Sequence, residues 1–282
     1  MEKPVIIGLG EIVWDCLPEG RKLGGAPVNF AFHAQQLGAD SYPVSAVGND
    51  ALGQETLETC RAYGLWLDYV QRNDLPTSRV LVSLDAQGSP QYQILENVAW
   101  DHLRSTPEVL SLSARADAIC WGSLAQRSET SRASILRIVD AVPESALRVF
   151  DVNLRQHYYN AEVIAASLER ADVLKLNEDE LPELEKLTGL GGIQEIIARF
   201  SLDYLVYTCG AAYSEVYGPG GLLSHLDAPA VKVADTVGAG DSFTAAFITS
   251  ILKGESVSEA HARAVKVSAR VCEHHGAMVP LD

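Results

Sequence analysis

Short apolar runs alternate with amphipathic stretches along most of the chain. The amphipathic stretches have the apolar spacing of helices, and three of them end beside a glycine, which suits a helix C-terminus. These three are residues 28–37, 52–63 and 178–187. The apolar runs have the length and composition of buried strands, at residues 5–9, 42–47, 118–121, 148–152, 173–176 and 204–208. This alternation predicts an α/β fold in which helices cover both faces of a mainly parallel sheet.

One stretch interrupts this order in the first half of the chain. Residues 79–84 and 91–95 alternate between apolar and polar positions, and the segment 86–90 between them contains Gly88 and Pro90. This pattern is typical of a β-hairpin. We expect the hairpin to form a small β lid.

A second interruption comes later. Residues 214–225 have a strand-like pattern that Gly218, Pro219, Gly220 and Gly221 break in the middle. Glycine and proline at such positions indicate turns and edge strands. We expect an antiparallel edge near the C-terminal end of the sheet.

Composition narrows the classes of protein that the chain can be. Its 282 residues are 47% hydrophobic, enough for the core of one large domain, 1–282. A net charge of −15 without a basic run argues against nucleic acid and anionic membranes as partners. The run 5–9 is too short for a membrane span and lacks signal-peptide flanks, so we expect a cytoplasmic protein. The cysteines are scattered without a close pair, and we expect reduced thiols.

The strongest candidate for chemistry is the segment 235–243. A glycine-rich turn runs directly into a helical pattern in which Phe243, Phe247 and Ile251 recur every four residues. Free N–H groups at a helix N-terminus can bind a phosphate, and glycines let the backbone approach it closely. Asp241 would then lie beside the bound anion. A simpler interpretation is that Asp241 only caps the helix, because Asp is a favoured N-cap.

The full segment Asp235-Thr236-Val237-Gly238-Ala239-Gly240-Asp241-Ser242-Phe243 resembles, residue by residue, the C-terminal signature of the ribokinase-like (PfkB) carbohydrate kinases. The resemblance implies a ribokinase-like fold with a small β-sheet lid. It also implies that Asp241 is the general base, and that Gly238, Ala239 and Gly240 form an anion hole.

A second motif lies near the N-terminus. Gly24-Gly25-Ala26-Pro27-Val28-Asn29 is similar to the other signature of this family. The similarity implies that Gly24, Gly25 and Asn29 contact the sugar. Without that context, the glycine pair would be an ordinary turn and Asn29 a surface helix residue.

The residues before this motif fit the same family. Gly10-Glu11-Ile12-Val13-Trp14-Asp15 resembles the strand that enters the lid. The resemblance implies that Asp15 accepts hydrogen bonds from sugar hydroxyls. It also implies a lid made of about residues 11–24 and 77–99.

Asp151-Val152-Asn153-Leu154-Arg155 follows a predicted strand, and open α/β sheets bind their ligands at the carboxyl ends of strands. The motif resembles the Asp-x-Asn-x-Arg of fructokinase-like members. This implies that Asn153 lies on the ATP side and that Arg155 contacts sugar or phosphate. The alternative is an exposed polar turn.

Asn177-Glu178-Asp179-Glu180 resembles the Asn-x-x-Glu of the family. The resemblance implies that Asn177 and Glu180 organise the Mg²⁺ that accompanies ATP, partly through water. Taken alone, the motif would be an acidic helix start, because carboxylates there complement the helix dipole.

The nucleotide side carries weaker motifs. Thr208-Cys209-Gly210 resembles the start of the phosphate and ribose turn of the family, although Tyr213 replaces its last glycine, and residues 271–277 resemble the adenine-side segment. The ATP contacts implied by the resemblance are Asn153, Asn177, Thr208, Gly210, Gly238, Gly240, His275 and Gly276.

The resemblance also implies a monovalent cation such as K⁺, held mainly by backbone carbonyls. The residues concerned are Asp235, Val237, Val271 and Gly276. The neighbouring His274 and His275 have no acidic or cysteine partner at ligand spacing, so we do not expect a transition metal.

Together these motifs predict an ATP-dependent kinase that transfers the γ-phosphoryl group to a hydroxyl of a small carbohydrate. The sugar-facing motifs favour fructose, and a ribokinase or another PfkB sugar or nucleoside kinase is the alternative. A phosphorylated sugar remains open, although it would require several convergent Lys or Arg side chains.

Two other classes of protein are alternatives to a kinase. Gly8-Leu9-Gly10 could open a nicotinamide-binding fold, but Val13 occupies the position of the third glycine and no helix follows, which argues against a dehydrogenase. A sugar or nucleotide sensor without turnover would keep the same fold, and the presence of Asp241 argues against it.

The lid also bears on assembly. We expect a homodimer formed through the lid, because two lids pack together in relatives. Apolar lid side chains such as Val80, Val82 and Ile94 would otherwise need cover.

Overall fold

The computed structural model describes residues 2–17, 20–84 and 90–281. The strands are β1 (Val5–Leu9), β2 (Val13–Leu17), β3 (Gly20–Gly24), β4 (Asp40–Gly48), β5 (Val70–Asn73), β6 (Arg79–Leu84), β7 (Pro90–Ile94), β8 (Ala118–Gly122), β9 (Leu147–Asp151), β10 (Val173–Asn177), β11 (Tyr204–Cys209), β12 (Tyr213–Gly218) and β13 (Gly221–Asp227). The α-helices are α1 (Ala26–Gln36), α2 (Ala51–Ala62), α3 (Pro107–Ser113), α4 (Glu129–Val139), α5 (Ala161–Leu168), α6 (Glu180–Thr188), α7 (Ile193–Phe200), α8 (Ala239–Leu252) and α9 (Val257–Cys272).

Within the described ranges, nine strands form one sheet in the order β13-β12-β11-β10-β9-β8-β1-β4-β5. The pairs from β11 to β5 are parallel, and β12 pairs antiparallel with both β11 and β13. Successive residues of a strand face opposite sides of a sheet: Ile6 of β1 packs with Phe247 of α8, and Ile7 belongs to the cluster that contains Ile164 of α5. Helices therefore cover both faces, as predicted.

A smaller sheet has the strand order β3-β2-β6-β7. β2 is antiparallel to β3 and parallel to β6, and β6 is antiparallel to β7, which confirms the predicted hairpin. The predicted turn residues 86–89 and the side chain of Val82 lie outside the described part of the chain. Trp14 of β2 donates from Nε1 to Oγ1 of Thr56 on α2 at 2.8 Å. This buried hydrogen bond anchors the small sheet to the rest of the chain.

Val80 and Ile94, two apolar side chains of the small sheet, are covered within the chain itself. Val80 and Ile94 are only 8% and 6% exposed and belong to the core that includes β1 and β4. Leu81, which follows Val80 and faces the other side, is 38% exposed. Two of the three side chains expected to need a partner are therefore buried within the chain itself.

Some element boundaries differ from the prediction. α1 begins at Ala26, two residues early, because proline at the second position suits a first helical turn. α6 begins only at Glu180, because the Asn177 side chain accepts the amides of Asp179 and Glu180 and forms a turn before the helix. β5 was missed because its sequence is mostly polar. No helix in the described ranges combines the length and apolar character needed to cross a membrane.

Candidate active site

Two helix N-termini meet at the carboxyl edge of the large sheet. Asn29, in the first turn of α1, donates from Nδ2 to Oδ2 of Asp241 on α8 at 2.8 Å. The N-cap of α8 is Gly238, with φ 78°, and Asp241 is the third residue of the helix. The interpretation of Asp241 as a simple N-cap is therefore wrong. Its side chain instead joins the two helices.

The carboxyl group of Asp241 lies in an electrostatically mixed environment. Burial raises the pKa of Asp241, while the hydrogen bond from Asn29 and the positive charges of Lys175 and Arg155 lower it. Burial dominates, so the net direction is upward. A buried carboxylate with a raised pKa is a better proton acceptor than an exposed one.

The glycine pair lies between two acidic residues of the N-terminal segment. Gly25 has φ 119°, and a Cβ atom there would lie 2.5 Å from the carbonyl oxygen of Glu11. A Cβ on Gly24 would lie 3.7 Å from Oδ2 of Asp15, which is paired in register with Lys22. Burial raises the pKa of Asp15, and Arg155 and Lys22 lower it. The predicted sugar-facing residues therefore share one region of the structure.

Asp151 and Lys175 form a buried ion pair beneath this region. Lys175 Nζ lies 3.3 Å from Asp151 Oδ1, and the two side chains are 8% and 6% exposed. A Cβ on Gly240 would lie 3.0 Å from the same Nζ. Asp151, Asn153 and Asp241 also line one small cavity. Lys175 therefore places a positive charge directly beside the glycine-rich turn.

The charges of this pair depend on each other. Burial raises the pKa of Asp151 even though the ammonium of Lys175 opposes the shift. Burial would lower the pKa of Lys175, but the carboxylates of Asp151, Glu180 and Asp241 outweigh it and raise the pKa. Lys175 is therefore charged. Lys175 was not predicted from the sequence, although a lysine inside the apolar run of β10 is unusual for a buried strand and could have indicated it.

The predicted metal-binding residues form a rigid turn. Glu180 accepts backbone amides at both carboxylate oxygens, from Leu154 to Oε1 at 3.0 Å and from Asn177 to Oε2 at 2.9 Å. Asn177 in turn accepts the amides of Asp179 and Glu180 at Oδ1. Among the described residues, no cluster of three or more His, Cys, Asp or Glu could hold a metal ion alone. Both side chains therefore use their oxygens to hold the turn together, and a cation beside them would be reached through water.

Asp235 joins the two segments predicted to hold a monovalent cation. Its Oδ1 accepts the amide of Val237 and its Oδ2 accepts that of Gly276, both at 3.1 Å. Lys22 of β3 contacts the same Oδ2 at 3.1 Å. The carbonyl of Val271 accepts the amide of His274 at the end of α9. The structure therefore brings Asp235, Val237 and Gly276 together, while Val271 lies in the last turn of α9.

The remaining predicted site residues lie at or just after the ends of β9, β11 and α9. Thr208, one residue before the end of β11, is in register with Asn177, and Gly210 follows the strand with φ 47°. His275 and Arg155 are exposed, and Asn153 adopts φ 40°. Although exposed, Arg155 lowers the pKa values of both Asp15 and Asp241, so its charge lies toward them.

A separate cleft of about 620 Å³ lies between residues 96–102, 126–132 and 157–163. None of the residues predicted to bind substrate, nucleotide or metal lines it. The cleft therefore plays no part in the site described above.

Comparison with known families agrees with this geometry. The model of the pfkB family of carbohydrate kinases matches residues 18–282 of the chain. The chain belongs to this family.

Known relatives of the kinase include several fructokinases. The fructokinase of Klebsiella pneumoniae is 31% identical over 256 residues, which cover 86% of this chain and 83% of the relative. The fructokinase of Vibrio cholerae, solved with fructose, ADP and calcium, superposes with a TM-score of 0.81 at 26% identity, covering 99% and 96% of the two chains. The fructokinase of Xylella fastidiosa, solved with ATP, has a TM-score of 0.83 at 20% identity, covering 98% and 94%, and shows the same fold.

Membership of the family establishes the class of reaction. The kinase is a phosphotransferase whose acceptor is an alcohol group. Its ribokinase-like fold, with a mainly parallel sheet and a small second sheet, agrees with the expectation from the sequence.

The ion pair beneath the turn leads to a first prediction. We expect Lys175→Met to lower the free energy of unfolding by about 3–5 kcal/mol at about pH 8, because it leaves Asp151 buried and unpaired. The pKa of Asp151 is higher in the folded state than in the unfolded state, so the folded state keeps its proton to higher pH. The contribution of Asp151 to the free energy of unfolding therefore falls as pH rises from its pKa in the unfolded state to its pKa in the folded state. Losing Lys175 raises the pKa further, and urea denaturation should show a smaller deficit at about pH 5.

The control for this prediction is the double variant Lys175→Met/Asp151→Asn. It removes both charges and should recover most of the lost stability. A deficit in Lys175→Met that is equal at both pH values would show that Asp151 does not carry the effect.

Proposed function

We propose that this kinase uses ATP to phosphorylate a hydroxyl group of fructose, with Asp241 as general base. The observation that carries the proposal is the 2.8 Å hydrogen bond from Asn29 to Asp241. It joins the helix that follows the glycine pair to the turn suited to a phosphoryl group. A sugar hydroxyl held near Asn29 would lie beside the partly buried carboxylate of Asp241.

The glycine-rich turn supports the phosphoryl-transfer step. The amides of Gly240 and Asp241 are in the first turn of α8, where helix geometry supplies no intrahelical acceptor. With Gly238 and Ala239 they form the proposed anion hole, next to the ammonium of Lys175. Donors and charge in this arrangement would stabilise the negative charge that develops on the γ-phosphoryl oxygens.

The chemical step balances with the groups at hand. Asp241 takes the proton of the sugar hydroxyl, and the hydroxyl oxygen forms a bond to the γ-phosphorus. The bond from that phosphorus to the β–γ bridging oxygen breaks, and ADP leaves with the electron pair. The proton on Asp241 then passes to solvent. The products are a sugar phosphate and ADP.

The proposed sugar contacts are Asp15, Gly24, Gly25, Asn29 and Arg155. Asp15 supplies a carboxylate that can accept hydrogen bonds from hydroxyls, Asn29 supplies an amide, and Arg155 supplies a cation. The nearby cations Lys22 and Lys175 are already paired with Asp235 and Asp151. Arg155 alone then falls short of the several convergent cations that a sugar phosphate would require, which favours a neutral sugar. The fructose in the related Vibrio cholerae enzyme supports a ketohexose.

On the nucleotide side, we propose that ATP lies along the carboxyl ends of β9, β10 and β11. Its proposed contacts are Asn153, Asn177, Thr208, Gly210, His275 and Gly276, beside the anion hole. Mg²⁺ organised by Asn177 and Glu180 through water would neutralise charge on the phosphates. A monovalent cation such as K⁺ would be held mainly by backbone carbonyls of Asp235, Val237, Val271 and Gly276.

The choice of substrate leads to a second prediction. With a panel of sugars at matched low concentration, we expect ADP release to be faster with D-fructose than with ribose, glucose, adenosine or fructose 6-phosphate. Equal or better turnover of ribose would contradict fructose as substrate and favour a ribokinase or another member of the family. Absence of turnover with every acceptor would favour a sugar or nucleotide sensor.

The third prediction concerns the base. Asp241→Asn keeps the size of the side chain and an oxygen that can accept the hydrogen bond from Asn29, so the fold should be nearly unchanged. Loss of the base should lower kcat at least about 10²-fold, with modest changes in KM for ATP and sugar. Steady-state kinetics and thermal unfolding measure the two effects. Ser242→Ala removes a hydrogen bond in the same turn and serves as the control. If Asp241→Asn kept more than about a tenth of the wild-type kcat, Asp241 would not be the general base.

The fourth prediction concerns assembly. We propose a homodimer formed through the small sheet, supported by the exposed Leu81 and by the two edge strands β3 and β7. Light scattering at micromolar protein should give twice the mass of the chain. Leu81→Lys should weaken the dimer, whereas a monomeric mass for the wild type would refute it.

A further inference from the structure

His33 is a fully buried histidine on α1 that the proposed mechanism does not use. Its Nε2 lies 2.8 Å from the carbonyl oxygen of Ala277. A carbonyl oxygen can only accept, so Nε2 carries the proton and the neutral ring leaves Nδ1 unprotonated. Nδ1 is buried without a hydrogen-bond partner, and burial lowers the pKa of His33 to about 4. The ring is therefore neutral near pH 7 and offers one directed donor.

The acceptor of this bond is packed against the glycine-rich turn. Ala277 is 2% exposed. A Cβ on Gly238 would lie 2.6 Å from the Cβ and 2.7 Å from the Cα of Ala277. Gly238 is the N-cap of α8 and the first residue of the proposed anion hole. The position of Ala277 therefore limits where the turn can lie.

Two hydrogen bonds hold the segment around Ala277. Gly276 donates its amide to Asp235, which belongs to the same loop as the turn. His33 holds the next residue from the other side, on α1, four positions after Asn29. Residues four apart lie on the same face of a helix. One face of α1 therefore contacts Asp241 through Asn29, and contacts Gly238 through His33 and Ala277.

We propose that His33 is a positioning residue whose hydrogen bond to Ala277 fixes the anion-binding turn relative to the helix that carries Asn29. The inference rests on the proposed function. Without the donor, the carbonyl of Ala277 would be buried and unpaired, which drives a segment to shift until it finds a partner. How well the turn stabilises negative charge on the γ-phosphoryl oxygens depends on the geometry of its N–H donors. The loss should therefore lower kcat more than it raises KM for ATP.

The fifth prediction compares three variants. His33→Met removes the donor with little change in volume, and His33→Gln keeps an N–H donor at a similar reach. His261→Met is the matched control: His261 is also fully buried, its pKa is lowered by burial to about 4, and its ring contacts Ser214 and Ser224 at 2.8 Å. We expect kcat to fall about 10-fold or more in His33→Met, to stay within about 3-fold in His33→Gln, and to stay near wild type in His261→Met.

Hydrogen exchange by mass spectrometry adds a measurement that does not depend on activity. Peptides covering residues 235–243 and 272–279 should exchange faster in His33→Met than in His33→Gln or wild type. If the wild type lacks kinase activity, the proposed function fails while exchange still tests the contact. If His33→Met does not fold, His33→Asn replaces it. The N–H donor of asparagine lies one bond closer to the backbone than that of glutamine and should not reach the carbonyl of Ala277.

Three results would overturn the inference. One is a loss of kcat in His33→Met no greater than in His261→Met. Another is a His33→Gln variant as impaired as His33→Met. The third is unchanged exchange in both peptides.

Discussion

The candidate site depends on holding the partly buried carboxylate of Asp241 in a charged form at the start of a helix. Removing a charge from water is costly unless donors and opposite charges compensate. Asn29 supplies a direct hydrogen bond, and Lys175 and Arg155 supply positive charge. Lys175 is itself buried and needs Asp151 beside it. The polar residues beneath the turn are therefore linked, and changing one alters the protonation of the others.

Close backbone approach makes this arrangement possible. Gly8 of β1 has no room for a Cβ because the carbonyl of Pro27 on α1 lies against it, and Gly10 is limited by the ring of the same proline. These contacts bring the first turn of α1 down onto the sheet, which lets Asn29 reach α8. Gly238 has the same role at the second helix, where Ala277 fills the space. Gly8, Gly10 and Gly238 thus allow neighbouring elements to pack closely, in addition to the access for a ligand that a glycine-rich turn provides.

Local sequence patterns predicted most of the fold and much of the site. Apolar runs located the parallel strands of the large sheet other than β5 to within two residues, and the segment around Asp241 indicated a turn before a helix. Lys175 was missed because its importance comes from residues on other elements, Asp151 on β9 and Gly240 on α8. His33 was missed for the same reason, since Ala277 is 244 positions away along the chain. The start of α6 was placed too early because the side chain of Asn177 competes with the helix for backbone amides.

The connection between the small sheet and α1 is very short. β3 ends at Gly24 and α1 begins at Ala26, so Gly25 alone separates them. A rotation of the small sheet about this residue would move α1 directly, because no longer loop separates the two elements. Any such movement would reach Asn29, and through its hydrogen bond it would change the position of Asp241.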